Sequence, residues 1–85
     1  MSRGLGRVQV GILLALQDEE PQTLRQLASR IYGEEPPSRA GYTAVARAVR
    51  NLARRGWVDT QRRRPLAVAL TPSARLALYL ATHTA

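Results

Sequence analysis

The chain has 85 residues, 45% of them hydrophobic, and its formal net charge is +7. It has no cysteine, which excludes disulfides, a thiolate zinc site and a cysteine nucleophile. It also has no apolar run of about 18 residues that would span a membrane. Size and composition predict one small globular domain over residues 1–85. Because an acidic segment follows the first apolar stretch and no small-residue cleavage site does, we expect no signal peptide.

The basic charge is concentrated in the second part of the chain. Residues 38–85 contain nine arginines and one acidic residue, a net charge of +8. Residues 1–37 contain four arginines and five acidic residues, a net charge of −1. This distribution predicts a polyanionic partner for the second part, most simply a nucleic acid.

Two helices are predicted before the basic part begins. Apolar residues at helical spacing indicate a first helix over residues 3–17, which Ser2 would cap. A second helix is predicted over residues 23–32, because its first residue and Gln26 match the capping-box pattern. Gly33 stands where helices commonly end.

The third helix, predicted between Ser38, its expected N-cap, and Gly56, organises the rest of the chain. Three of its apolar residues fall along one narrow strip, which we call the apolar seam: Val45, Val49 and Leu52. Four polar residues fall within about 40° of the point opposite Val45 at ~100° per residue. We call these the arginine face: Thr43, Arg47, Arg50 and Arg54. Such a helix would bury its seam and present guanidinium groups outward.

A β-hairpin and a fourth helix are predicted after Gly56. Strands are expected over residues 57–61 and 66–70, with a turn at 62–65, and they must pack on the helices because a lone hairpin is marginal in water. The second strand is expected to place three residues on one face: Leu66, Val68 and Leu70. The pair Thr71-Pro72 is a strong helix start. Three residues are predicted to form the apolar side of the fourth helix: Leu76, Tyr79 and Leu80.

The segments TLRQLASRIYG, AVARAVRNLARRGWVDTQ and LAVALTPSARLAL resemble the winged helix-turn-helix domain of bacterial MarR-like and PadR-like transcriptional regulators. The likeness covers nearly the whole chain, and its most specific part is L-x-R-x-G-W-V at residues 52–58. It implies a mostly α fold with a small β-hairpin: three helices, a two-stranded wing and a C-terminal helix. It also implies that the third helix enters the major groove of double-stranded DNA, while the wing contacts phosphates or the minor groove.

The resemblance assigns DNA-binding candidates to two places. Those on the third helix are Arg39, Tyr42, Thr43, Arg47, Arg50, Asn51 and Arg54. Those at the wing tip are Arg62, Arg63 and Arg64. Because arginine can bond bidentately to a base edge or a phosphate, we expect Arg47 and Thr43 to reach bases and Arg50 and Arg54 to hold phosphates. No catalytic residue, metal ligand or cofactor is predicted, and we expect no enzymatic activity.

Simpler interpretations compete with several of these assignments. The arginines could form an ordinary solvated surface. Tyr32 and Tyr42 fit core packing better than base stacking, and Trp57 is expected in the core. Asp59 is expected to pair with an arginine across the hairpin, and the acidic residues at 18–20 are expected to form a solvated turn.

Two further functions remain open beside specific DNA binding: a protein-interaction module on the same fold, and non-specific nucleic-acid or RNA binding. The first and last helices hold more apolar residues than a thin core needs, so they could pair two copies, with recognition helices about 34 Å apart. The residues concerned are Leu5, Val8, Ile12, Leu13, Leu76, Tyr79 and Leu80. A DNA-binding regulator of this kind is expected in the cytoplasm of a bacterial, archaeal or phage-infected cell, at the nucleoid.

Overall fold

The computed structural model describes residues 5–62 and 64–83. The predicted cap at Ser2, residues 3–4 of the predicted first helix and Arg63 therefore lie outside the described residues. Residues 5–6 precede the first helix, which begins at Arg7 and so later than predicted. The elements are α1 (Arg7–Asp18), β1 (Gln22–Thr23), α2 (Leu24–Tyr32), α3 (Arg39–Arg54), β2 (Val58–Gln61), β3 (Ala67–Leu70) and α4 (Pro72–His83). Four helices with a small antiparallel sheet form a winged helix, which confirms the predicted fold class.

The starts of α2 and α3 follow the predicted capping signals. The Thr23 hydroxyl accepts a hydrogen bond from the Gln26 amide at 3.1 Å, and the Gln26 side chain accepts one from the Thr23 amide at 2.8 Å. The Ser38 hydroxyl accepts from the Gly41 amide at 3.0 Å. Gly33 ends α2 with φ of 69°, a left-handed conformation that glycine adopts without steric cost. Local sequence therefore determines the ends of both helices.

The sheet has three antiparallel strands in the order β1-β3-β2. The two-residue strand β1, which pairs Gln22 with Val68, was not predicted, because two residues are too few to show a strand pattern. It makes β3 the central strand, in which neighbouring residues Ala67 and Val68 are both buried. Leu66 lies before β3 and is 37% exposed, so of the three residues predicted on one face of this strand only Val68 and Leu70 belong to the strand, where both are buried.

The core lies where α1, α2 and α3 meet the inner side of the sheet. Its fully buried large side chains are Ile12, Leu16, Leu27, Val45, Leu52, Val58 and Val68. All three residues of the apolar seam are buried, as predicted. Trp57 is only partly buried and packs against the edge of this core. Burial of each large aliphatic side chain stabilises the fold by about 1.5–3 kcal/mol, so the seam fixes α3 on the other helices.

The helix α4 presents a different side to the core from the one predicted. Thr71 caps it as expected, with its hydroxyl accepting from the Ala74 amide at 3.1 Å. Ala74 is buried and Leu78, one turn later, packs on the core. Leu76, Tyr79 and Leu80 are instead 60%, 54% and 49% exposed. Since alanine lets the helix approach closely, a narrow contact is enough to attach α4, and its larger apolar side chains remain outside.

Two polar side chains join the turn after α1 to the rest of the fold. Gln22 is buried, and its amide group donates to the carbonyls of Ala15 and Glu19 at 2.9 and 2.8 Å. The Ala15 carbonyl also accepts from the Glu19 amide, so Gln22 is its second donor. Glu20 accepts from the Leu70 amide at 2.8 Å and from Arg75 at 2.5 Å. Its side chain is only 18% exposed, so this residue is not part of a solvated turn, contrary to prediction.

None of the helices in the described part of the chain combines the length and the hydropathy needed to cross a membrane.

Replacing Gln22 with Leu should lower the free energy of unfolding by about 1–3 kcal/mol, because the two hydrogen bonds from its amide to carbonyls at the end of α1 are lost. Urea denaturation followed by circular dichroism measures this change. The matched control is Gln17→Leu, the same substitution at an exposed position of α1, which should change stability by less than about 0.5 kcal/mol. Equal losses in the two variants would contradict the role assigned to Gln22.

Candidate nucleic-acid interface

The predicted residues of α3 form one outward-facing surface. Because the apolar seam turns towards α1 and α2, the opposite side of the helix faces solvent. Asn51 is half-buried at the edge of this surface. The other predicted residues of α3 are exposed: Arg39, Tyr42, Thr43, Arg47, Arg50 and Arg54.

Both tyrosines that were assigned to the core lie at the surface. Tyr42 is 43% exposed and Tyr32 is 41% exposed, so the prediction of core packing was wrong for both. Tyr32 lies against the start of α3 at Gly41, where a Cβ atom would come within 3.1 Å of the tyrosine ring. The absence of a side chain at Gly41 therefore lets α2 and α3 approach closely. Tyr42, the next residue of α3, is accessible to a ligand.

The arginines of α3 have no carboxylate partners among the described residues. The ion pairs found there join Arg30 to Asp18 and Glu19, and Arg75 to Glu20. Both paired arginines lie outside α3 and the hairpin. Asp59 lies opposite Ala69 in the sheet and pairs with no arginine among the described residues. Arg63 lies outside those residues, so the pair of Asp59 with an arginine stays a prediction. The positive charge of α3 is thus left uncompensated and available to an external anion.

The hairpin turn extends the same charged surface. Arg62 and Arg64 are exposed between β2 and β3. A shallow cleft of about 150 Å³ connects the base of this turn, at Pro65 and Leu66, with Tyr42 of α3. The first half of α3 and the wing therefore border one continuous surface, and a single extended ligand can contact both.

Arg25 is a further candidate that was not predicted from the sequence. It is exposed in the first turn of α2 and lines the same cleft as Tyr42 and Leu66. No carboxylate among the described residues pairs with it. The sequence does hold a signal for it, because in a helix-turn-helix the helix before the recognition helix crosses the nucleic-acid backbone. Arg25 directly follows the residue that begins this helix.

Comparison with known proteins supports the fold. No family model matches the chain, and no curated protein matches it either. Its structure is similar to the crystal structure of the PcaV transcriptional regulator from Streptomyces coelicolor, determined in complex with that protein's natural ligand. The TM-score is 0.67 at 24% sequence identity, and the match covers 99% of this chain and 67% of the PcaV chain. The predicted winged helix resemblance is thereby confirmed at the level of the fold.

If the uncompensated arginines form a polyanion-binding surface, replacing Arg50 and Arg54 together with Ala should weaken binding to heparin. The expected reason is the loss of two accessible guanidinium groups that would otherwise hold anionic groups. Elution from a heparin column along a salt gradient measures the effect.

The matched control is Arg3→Ala with Arg7→Ala, which removes the same charge near the start of the chain. Arg7 lines the groove between α1 and α2 and makes no ion pair among the described residues. We expect the control to elute later than the α3 variant and near the unmodified chain. The same early elution for both variants would mean that net charge alone, and not this surface, determines binding.

Proposed function

We propose that the chain binds double-stranded DNA sequence-specifically and acts as a small transcriptional regulator. The observation that carries this proposal is the arginine face of α3, exposed, without carboxylate partners among the described residues, and bordering the wing. The structural similarity to PcaV, which is a transcriptional regulator, supports the proposal. Such a role needs no enzymatic activity and no cofactor, and it would be exercised in the cytoplasm at the nucleoid.

The dimensions of α3 suit the major groove. Its 16 residues give a length of about 24 Å at ~1.5 Å per residue. A helix with side chains is ~10–12 Å across, which matches the ~12 Å width of the major groove in B-DNA. In this arrangement Arg47 and Thr43 reach base edges, and Arg39, Arg50 and Arg54 lie near the two phosphate backbones.

The wing and α2 then hold the backbone on either side of α3. Arg62, Arg63 and Arg64 contact phosphates or enter the minor groove beside the recognised major groove. Arg25 and Tyr42 face the sugar-phosphate backbone across the cleft at the base of the wing. Contacts of this kind fix the position of the protein on the duplex, while the residues in the middle of α3 discriminate between sequences.

A symmetric dimer is the form in which we expect two such domains to act. The apolar residues predicted for this role on α1 are not free, because Ile12 and Leu13 are buried and Leu5 and Val8 pack on the core. The exposed apolar side of α4 is the better candidate, and two copies paired through it would present two recognition helices to one duplex. Its residues are Leu76, Tyr79 and Leu80.

The first experiment is fluorescence-anisotropy binding to random duplex DNA at several salt concentrations, with a non-nucleic acidic polymer as the competitor control. We expect a steep negative log–log slope and tighter binding to the duplex than to the polymer. Absence of binding at low salt would contradict the proposal and favour an acidic protein partner for the arginine face.

Replacing Arg62 and Arg64 together with Ala should weaken binding to every duplex and make the salt slope shallower by about two units, since ~0.9 counterions are released per phosphate contact. The matched control is again Arg3→Ala with Arg7→Ala, for which we expect an unchanged slope. An unchanged slope in the wing variant would mean that the wing is not part of the DNA interface.

Leu76→Glu with Leu80→Glu should shift the chain towards the monomer while it remains folded, because both side chains are about half exposed. Sedimentation velocity measures the oligomeric state, and circular dichroism checks the fold. Leu66→Glu, at an exposed apolar position near the wing, is the control and should leave the oligomeric state unchanged. A chain that is monomeric before any substitution would contradict the α4 dimer.

A further inference from the structure

We infer that the DNA site presents guanine to the middle of α3 and that Arg47 makes this contact. The inference rests on the proposed function and adds the chemical identity of the base that is recognised. It follows from the hydrogen-bonding character of the exposed side of α3, which consists almost entirely of donors.

The charged side chains of α3 are all arginines, and the helix contains no Asp, Glu or Gln. An arginine offers five N–H donors and no acceptor. Side-chain acceptors on this helix are limited to the hydroxyls of Tyr42 and Thr43 and the amide of Asn51. Asn51 is half-buried at the edge of the surface, and Tyr42 lies in the cleft beside the wing. The middle of the exposed surface, at Arg47 and Arg50, therefore presents donors.

The acceptor groups that precede α3 each accept a hydrogen bond within the protein. The Ser38 hydroxyl accepts from the Gly41 amide at 3.0 Å. One Glu34 carboxylate oxygen accepts from the Ser38 amide at 3.2 Å, and one from Glu35 accepts from the Ser29 hydroxyl at 2.7 Å. These bonds hold the acidic loop to α2 and to the start of α3. The helix α3 itself contains no carboxylate.

The bases differ in the hydrogen-bonding groups that they present to such a surface in the major groove. Guanine presents two acceptors, N7 and O6, which match the arginine fork. Adenine presents one acceptor beside one donor, and cytosine presents a donor, so each needs an acceptor from the protein for full pairing. A surface of arginines therefore favours guanine over adenine and leaves the paired cytosine without a direct contact.

Position along the helix distinguishes Arg47 from the other arginines. It lies at the middle of α3, whereas Arg54 is the last residue of the helix and Arg39 is the first. Arg50 lies one turn after Arg47, a rise of about 4.5 Å, which places it further towards the backbone when the first half of the helix enters the groove. Thr43, one turn before Arg47, offers a methyl group to thymine or a hydroxyl to a neighbouring base.

The test begins with selection of duplexes from a pool with a randomised central stretch, using the full 85-residue chain. The selected site should contain a required guanine, and changing that G·C pair to A·T should weaken binding about 5- to 150-fold, the range for one bidentate contact. Substituting 7-deazaguanine, which removes the N7 acceptor and keeps Watson–Crick pairing, should also weaken binding by at least about fivefold.

A substitution at Arg47 then tests whether this residue makes the contact with guanine. Arg47→Gln should move the preference at this position from guanine towards adenine, because a glutamine amide pairs with the N6 and N7 groups of adenine. Arg54→Gln, the same substitution at the end of the helix, should weaken binding to all duplexes and leave the base preference unchanged. Both positions are exposed, and circular dichroism verifies that each variant is folded.

The outcomes separate this inference from the proposed function. Sequence-selective binding without a required guanine, or full affinity for the 7-deazaguanine duplex, would overturn the guanine contact and leave DNA binding intact. A required guanine whose preference survives Arg47→Gln would overturn the assignment to Arg47. Failure of every duplex to bind at low salt would overturn the proposed function and this inference with it.

Discussion

Burial of the apolar seam of α3 determines what the rest of the surface can do. Val45, Val49 and Leu52 pack between α1, α2 and the sheet, and this packing fixes the rotation of α3 about its own axis. A rotation of half a turn would bury three arginines without partners, at a cost of several kcal/mol for each charge. The same contacts that stabilise the small core therefore hold the arginine face towards solvent. Stability and the proposed recognition surface depend on one helix.

The remaining elements position this helix and the sheet beside it. The capping hydroxyl of Ser38 and the close approach of α2 at Gly41 position the start of α3. The buried amide of Gln22 bonds to carbonyls at the end of α1, and the carboxylate of Glu20 connects the turn after α1 to β3 and α4. Together they fix the sheet that carries the wing. Acidic residues of the first part of the chain form ion pairs with Arg30 and Arg75. This use of the acids outside α3 leaves the arginines of the recognition surface uncompensated.

Most of the fold could be predicted from the sequence because its signals are local. Helix caps such as Thr23 and Ser38 depend on residues three positions away, and the apolar seam repeats at helical spacing. The parts that could not be predicted depend on distant partners. Glu20 contacts Leu70, 50 positions later, and β1 exists only because β3 lies beside it. The orientation of α4 was wrongly predicted for the same reason, since periodicity identifies an apolar stripe but does not tell whether the core or the solvent receives it.

In the candidate site, too, the features with local sequence signals were predicted and those that depend on distant partners were not. Exposure of the arginines on α3 followed from the position of the seam, and the structure places every predicted residue of the helix at or near the surface. The tyrosines were assigned to the core because large aromatic side chains are usually buried, and packing around Gly41 and the wing places them outside instead. Arg25 was not predicted, because its proximity to the wing depends on how α2 and the hairpin meet.

The central claim is that the arginine face, the wing and the first turn of α2 form one DNA-binding surface. Titration of the labelled chain with a duplex, followed by two-dimensional amide NMR, tests this claim most directly because it maps the whole molecule at once. We predict that the largest shift changes fall on residues 23–26, on the exposed side of α3 and on the wing, while the groove between α1 and α2 and the exposed side of α4 change little. Changes concentrated on α1 or α4, with the exposed side of α3 unaffected, would contradict the account.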